Sequence, residues 1–217
     1  MQLNKVFNPL GDDRDISKRS MWFANTTNLM QLNDVKYNWA VQLFKQMREQ
    51  FWIPEKVDLT QDINDYNNLT PEERRGYDGI LSYLTFLDSI QTYNLPYIKS
   101  PVTSPEVNLC LTEQASQEGN HNKSYQVIIE SVIPTEKRQG IYDLWREDKY
   151  LFERCKTIAS IYQDYLDNST EEKYFISLFA DYCLESIYFY CGFMVFYNFA
   201  SRMLMPGTAD MIKYINR

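Results

Sequence analysis

Three stretches of this sequence each set one acid into an apolar face at helical spacing. Leu81, Leu84, Asp88 and Leu95 share one stripe. Leu111, Ala115, Glu118, Tyr125 and Val132 share a second, with His121 beside them. Leu178, Tyr182, Glu185, Phe189 and Phe193 form a third. Residues three and four apart lie on the same side of a helix, so each pattern predicts a helix that buries a carboxylate. A buried, ionised carboxylate without a partner costs several kcal/mol (~3 or more) or else takes up a proton. The stripes contain no Arg or Lys to neutralise the three acids. Whatever the chain folds into must bring helices together around a shared positive charge.

The remaining pattern is helical as well. Val35 to Gln50 has helical periodicity, and WIPEKVDLTQD after it reads as a loop broken by Pro54. Thr70, Pro71 and Glu73 form a helix-start signature for a helix reaching about Leu95. Ser104 and Pro105 restart the pattern, and the segment carrying SQEGNHNKSY runs to Pro134. Further helices are expected from about Thr135 to Asp167, from about Glu171 to Met203, and from Asp210 onward. No segment alternates with period two, so the expected class is an all-α bundle. Residues 1–34 read as a largely irregular N-terminal arm and residues 35–217 as the helical bundle.

Composition narrows the function classes. A net charge of −7 argues against direct binding of nucleic acid. The longest apolar run, Ile187 to Tyr197, is too short to span a bilayer, and no signal peptide is visible, so no membrane is expected and the location expected is cytoplasmic. Cys110, Cys155, Cys183 and Cys191 form no CxxC and read as reduced thiols.

Taken singly, each acid has a plain explanation as a hydrogen-bonded residue, and His121, the one histidine, as a packed core residue. Three stripes together with Glu118-x-x-His121 favour a metal pair, because carboxylate oxygens with an imidazole nitrogen suit iron or manganese. A di-metal carboxylate bundle takes one acid from each of two helices and a Glu-x-x-His from each of two others. Asp88, Glu118, His121 and Glu185 supply four ligands, and the second Glu-x-x-His is absent from the sequence.

LTFLDSIQ around Asp88, SQEGNHNKSY from Ser116 to Tyr125 and CLESIYFYCGF around Glu185 resemble the small, radical-generating subunit of class I ribonucleotide reductase. FWIPEKVDL, residues 51 to 59, is similar to that family's Trp-containing segment. The resemblance implies a ferritin-like bundle whose two iron ions (or manganese, or a mixed pair) react with oxygen. By motif position it implies Asp88, Glu118, His121 and Glu185 as metal ligands. Tyr125 would then be the radical tyrosine, Trp52 the radical-transfer residue, and Phe189 and Phe193 the lining of the radical's apolar pocket. Its partners would be the large subunit, which makes deoxyribonucleotides, and a second copy in a homodimer.

MPGTADMIKYINR resembles the segment just before the family's second Glu-x-x-His. The expectation is therefore a C-terminally incomplete bundle, inactive alone, whose site is completed by a C-terminal fragment. Two other functions fit the residues: a di-iron oxidase or ferritin-like iron handler, and a helical scaffold that has lost its metal site.

Overall fold

The computed structural model describes residues 6–217; the first five residues of the expected arm lie outside the described residues. Ten α-helices come after the arm: α1 (Asn38–Glu49), α2 (Thr60–Asn68), α3 (Pro71–Lys99), α4 (Pro105–Val132), α5 (Thr135–Ile141), α6 (Leu144–Glu147), α7 (Lys149–Asp167), α8 (Glu171–Cys183), α9 (Phe189–Ser201) and α10 (Pro206–Ile215). A π-helical turn, Leu184–Tyr188, joins α8 to α9. Among the described residues there is no strand, only an isolated bridge between Trp22 and Val102. Among the described residues no helix is long and apolar enough to cross a membrane.

α3 and α4 form the spine. α3 starts where its sequence says it should: Thr70 Oγ1 accepts from the Glu73 amide, and the Thr70 amide donates to Glu73 Oε2 at 2.9 Å, a closed capping box. The helix does not stop near Leu95 as expected but passes through Pro96 to Lys99. Proline removes one ladder hydrogen bond, and packing keeps the last turn. Ile98 is fully buried against Tyr165 and Tyr174, and the Tyr174 hydroxyl donates to the Ile98 carbonyl at 3.2 Å.

α4 packs along α3, α1 covers α4, and α9 lies against α3. The last approach is close: a Cβ on Gly192 would come within 2.7 Å of Leu84 Cδ2, so glycine lets the two helices meet. α10 packs on both α9 and α2. There Asp62 receives the amides of Gly207 and Thr208 and the Thr208 hydroxyl, pinning α2 to the start of α10. A Cβ on Gly207 would fall 2.2 Å from the Asp58 carbonyl, so this junction also requires glycine.

Three other expectations are corrected. Residues Thr60 to Asp62, read as loop, begin α2, whose first amide is held by Asp58 Oδ1 at 2.9 Å. The helix expected from Thr135 to Asp167 is three helices, and α7 is set apart because Asp148 leaves the helical path and caps it by accepting from Tyr150 and Leu151. The helix expected from Glu171 to Met203 changes pitch at the π turn and ends at Ser201. That wider turn rotates α8 relative to α9. Tyr182, placed on the apolar stripe by periodicity, is 66 % exposed, and Asp181 is buried in its stead.

Candidate metal centre

The sequence forms the site on three long helices, with side chains carried by regular backbone rather than loops. Asp88 comes from α3, Glu118 and His121 from α4, and Glu185 from the π turn. Asp88 and Glu118 are buried. One oxygen of each and a ring nitrogen of His121 all lie within 4.8 Å of one another, a set able to hold a metal ion. His121 Nδ1 lies 3.0 Å from Glu118 Oε2 and 3.4 Å from Asp88 Oδ1. Glu185 stands outside that tight set but lines the same cavity, about 220 Å³ in volume, together with Asp88, His121, Phe189 and Phe193.

The electrostatics show acids short of positive charge. Burial raises Glu118 above the ordinary carboxylate range, and Asp88 adds to the rise against the pull of His121. Burial also raises Glu185, with the charges of Glu118 and Asp181 acting in the same direction. Desolvation opposes the imidazolium of His121, yet Glu118 and Asp88 outweigh it and raise the ring well above its usual value. Asp88 Oδ2 is buried and has no hydrogen-bond partner. An acceptor left open among further acids, with one imidazole as the local cation, fits a bound cation of higher charge.

Tyr125, one turn beyond His121, is fully buried, and its hydroxyl has no hydrogen-bond partner. Burial, then the charges of Asp88, Glu118 and Glu185, raise its ionisation far above that of free tyrosine, so it stays a neutral phenol. Phe189 and Phe193, stacked with centroids 5.9 Å apart, are both buried. Trp52 lies over the His121 ring, centroids 5.6 Å apart and planes at 22°. Its indole N–H donates to Ser124 Oγ at 3.3 Å, and its carbonyl accepts from Asn120 Nδ2. Tyr214 of α10 stacks on the same indole at 6.0 Å.

The sequence reading missed the polar groups behind the acids. Gln91, one turn after Asp88, is fully buried and donates to Glu185 and to Asp181. Spacing alone pointed to Gln91, three residues from Asp88 on the same face; nothing pointed to Asp181, whose burial depends on the π turn.

The family described as "Ribonucleotide reductase, small chain" matches residues 29–217. The chain is 43 % identical over 217 residues to a ribonucleoside-diphosphate reductase subunit beta of Treponema pallidum, covering all of this chain and 62 % of the relative. It is 42 % identical over 214 residues to one of Aquifex aeolicus, covering 98 % of this chain and 31 % of that protein. The chain thus spans less than two thirds of the length of either. Among solved structures, the ribonucleotide reductase R2 subunit from Clostridium botulinum superposes with a TM-score of 0.94 at 41 % identity, over all of this chain and 68 % of that one. A dimanganese(II)-NrdF from Streptococcus sanguinis, at 23 % identity, shares the fold with a TM-score of 0.76, over 86 % of this chain and 64 % of that one. With the match running from residue 29 to residue 217, the chain belongs to the ribonucleotide reductase small-chain family.

Proposed function

We propose that this chain carries the metal-binding and radical-forming part of a ribonucleoside-diphosphate reductase small subunit. The observation that carries the reading is the meeting of Asp88, Glu118 and His121 ligand atoms within 4.8 Å, beside an unpartnered buried Tyr125 hydroxyl. Asp88, Glu118, His121 and Glu185 would hold a pair of iron or manganese ions. A second Glu-x-x-His would have to reach the site from outside these residues. Bound there, the pair would supply one-electron oxidising power drawn from oxygen.

The chain's own groups explain how such power is used selectively. Tyr125 is a neutral phenol, so its oxidation to a radical must release the hydroxyl proton as well as an electron. Asp88, whose charge acts on that hydroxyl, would take the proton, and the buried Phe189 and Phe193 would shield the product from water. Trp52, stacked on His121 and held by Ser124, would pass the oxidising equivalent on towards a large subunit that reduces ribonucleotides. In the same reading residues 1–34 act as an arm on a bundle of residues 35–217, and the assembly is a homodimer.

The test is anaerobic loading with Fe(II) or Mn(II), exposure to oxygen, and an electron paramagnetic resonance spectrum. The expected result is metal binding that His121→Ala and Glu118→Ala abolish, with a tyrosyl signal that Tyr125→Phe removes. Iron uptake without any radical would favour an oxidase or iron handler. Absence of binding in the folded chain would point to the scaffold reading.

A further inference from the structure

Of the three acids and one imidazole read as ligands, Glu185 alone stands outside the tight set, and the structure shows what holds it. Gln91 Nε2 donates to Glu185 Oε1 at 2.7 Å and to Asp181 Oδ1 at 2.5 Å. Its own Oε1 accepts from the Tyr162 hydroxyl at 2.8 Å. Gln91 is fully buried, and both of its N–H donors are used. Glu185 Oε2, by contrast, accepts nothing from the described residues.

An amide can rotate by half a turn and exchange its oxygen for its nitrogen. Here the exchange would point an acceptor at the two carboxyl oxygens that now accept from Gln91 and forfeit both of those hydrogen bonds. It would also set the NH₂ group against a hydroxyl that now donates. The acids fix the NH₂ end of Gln91, and Tyr162 closes the latch by donating to the oxygen at the other end. Asp181 and Glu185 are two carboxylates on adjacent turns that would repel if nothing lay between them. The shared NH₂ group bridges them.

We propose that Gln91 is a positioning residue for Glu185, its amide latched by Tyr162 and bridged to Asp181, so that one carboxylate oxygen is held back and the other faces the cation. This rests on the reading of Glu185 as a ligand. It assigns to Gln91, Tyr162 and Asp181 a task that packing alone does not require. Glu185 would bind through one oxygen as long as the latch is closed and gain freedom to use both when it opens.

The test is Mn(II) titration of the full chain, followed by electron paramagnetic resonance line shape and by the rise in melting temperature that Mn(II) produces. Groups that orient a ligand are typically worth about 10–100-fold in metal affinity. Gln91→Ala is expected to lose that much and to alter the line shape; Tyr162→Phe is expected to lose about three- to tenfold, between wild type and Gln91→Ala. In metal-free protein, the Gln91 side-chain amide protons should exchange with solvent faster in Tyr162→Phe than in wild type, which tests the latch without any metal. Should Gln91→Ala fail to fold, the gentler Tyr162→Phe decides by the same readouts. If wild type binds Mn(II) and both variants bind within about twofold of it with an unchanged line shape, the proposal fails and the reading of the site stands. Variants that melt lower but keep the full Mn(II)-induced rise have lost packing only, and that too overturns the proposal. A folded wild type that takes up no Mn(II) overturns the site reading and this proposal together.

Discussion

Asp62 and Asp88 are both buried aspartates on helices of one small bundle, and they sit in opposite circumstances. Asp62 is surrounded by donors: the Gly207 amide, the Thr208 amide and the Thr208 hydroxyl. Asp88 faces Glu118 and His121, and its Oδ2 meets nothing. The first acid completes a joint between α2 and α10. The second keeps one buried oxygen without a donor. Burial of an acid therefore says little about function until its partners are counted.

The contrast can be broken at several points. Asp62→Ala would leave two amides and a hydroxyl buried without an acceptor, a loss of about 3–5 kcal/mol. In thermal unfolding that is a fall of roughly 6–20 °C for a chain of this size. An unchanged melting temperature would mean that α10 is not pinned there. At the other acid the sign should reverse on ligand addition. Saturating Mn(II) at about 100 times its dissociation constant adds about 2.7 kcal/mol by linkage, and His121→Ala should remove that gain, as calorimetry with and without metal would show.

pH sharpens the comparison further. Burial places Glu185 at about 8 and Asp181 at about 6, both above their unfolded values. Groups raised in this way favour the fold while protonated. Their contribution is complete below about pH 4, where the unfolded chain is protonated too, and is lost as pH rises through 6 and then 8. Metal-free protein should melt progressively lower across that range, and Mn(II), which competes with those protons, should stabilise most at its upper end. A melting temperature that rose over the same interval would contradict the assignment.

The smallest effect separates the two aspartates most directly. Asp88→Asn removes one charge from a cluster of acids and should raise metal-free stability by about 1 kcal/mol while weakening Mn(II) binding. Asp62→Asn should only destabilise. Denaturant unfolding of the pair, without metal, reads both signs in one experiment.

How much of the molecule could be read from its sequence depends on which signals are local. The Thr70 capping box and the stripes through Asp88 and Glu118 depend on residues within a turn or two, and the structure has them where periodicity puts them. The meeting of Asp88 with Glu118 and His121 was legible because buried acids must find partners. Other features depend on something periodicity cannot see. The break at Asp148 comes from a side chain turning back to cap α7. The start of α2 at Thr60 is hidden in a polar stretch whose order comes from its junction with α10. Gln91 and Tyr162 meet only when α3 and α7 pack, so no spacing could pair them.

The π turn at Leu184–Tyr188 has a consequence for how this segment tolerates change in length. A π turn holds one residue more than the α-helical path would need. Deleting a single residue there can return the helix to uniform pitch with the faces on either side kept, so that Asp181 stays inward. Forcing the present length into uniform pitch would instead turn α8 by about 100°, swinging Asp181 outward and Tyr182 inward although neither had been altered. The chemistry of the third helix thus depends on counting residues as much as on choosing them.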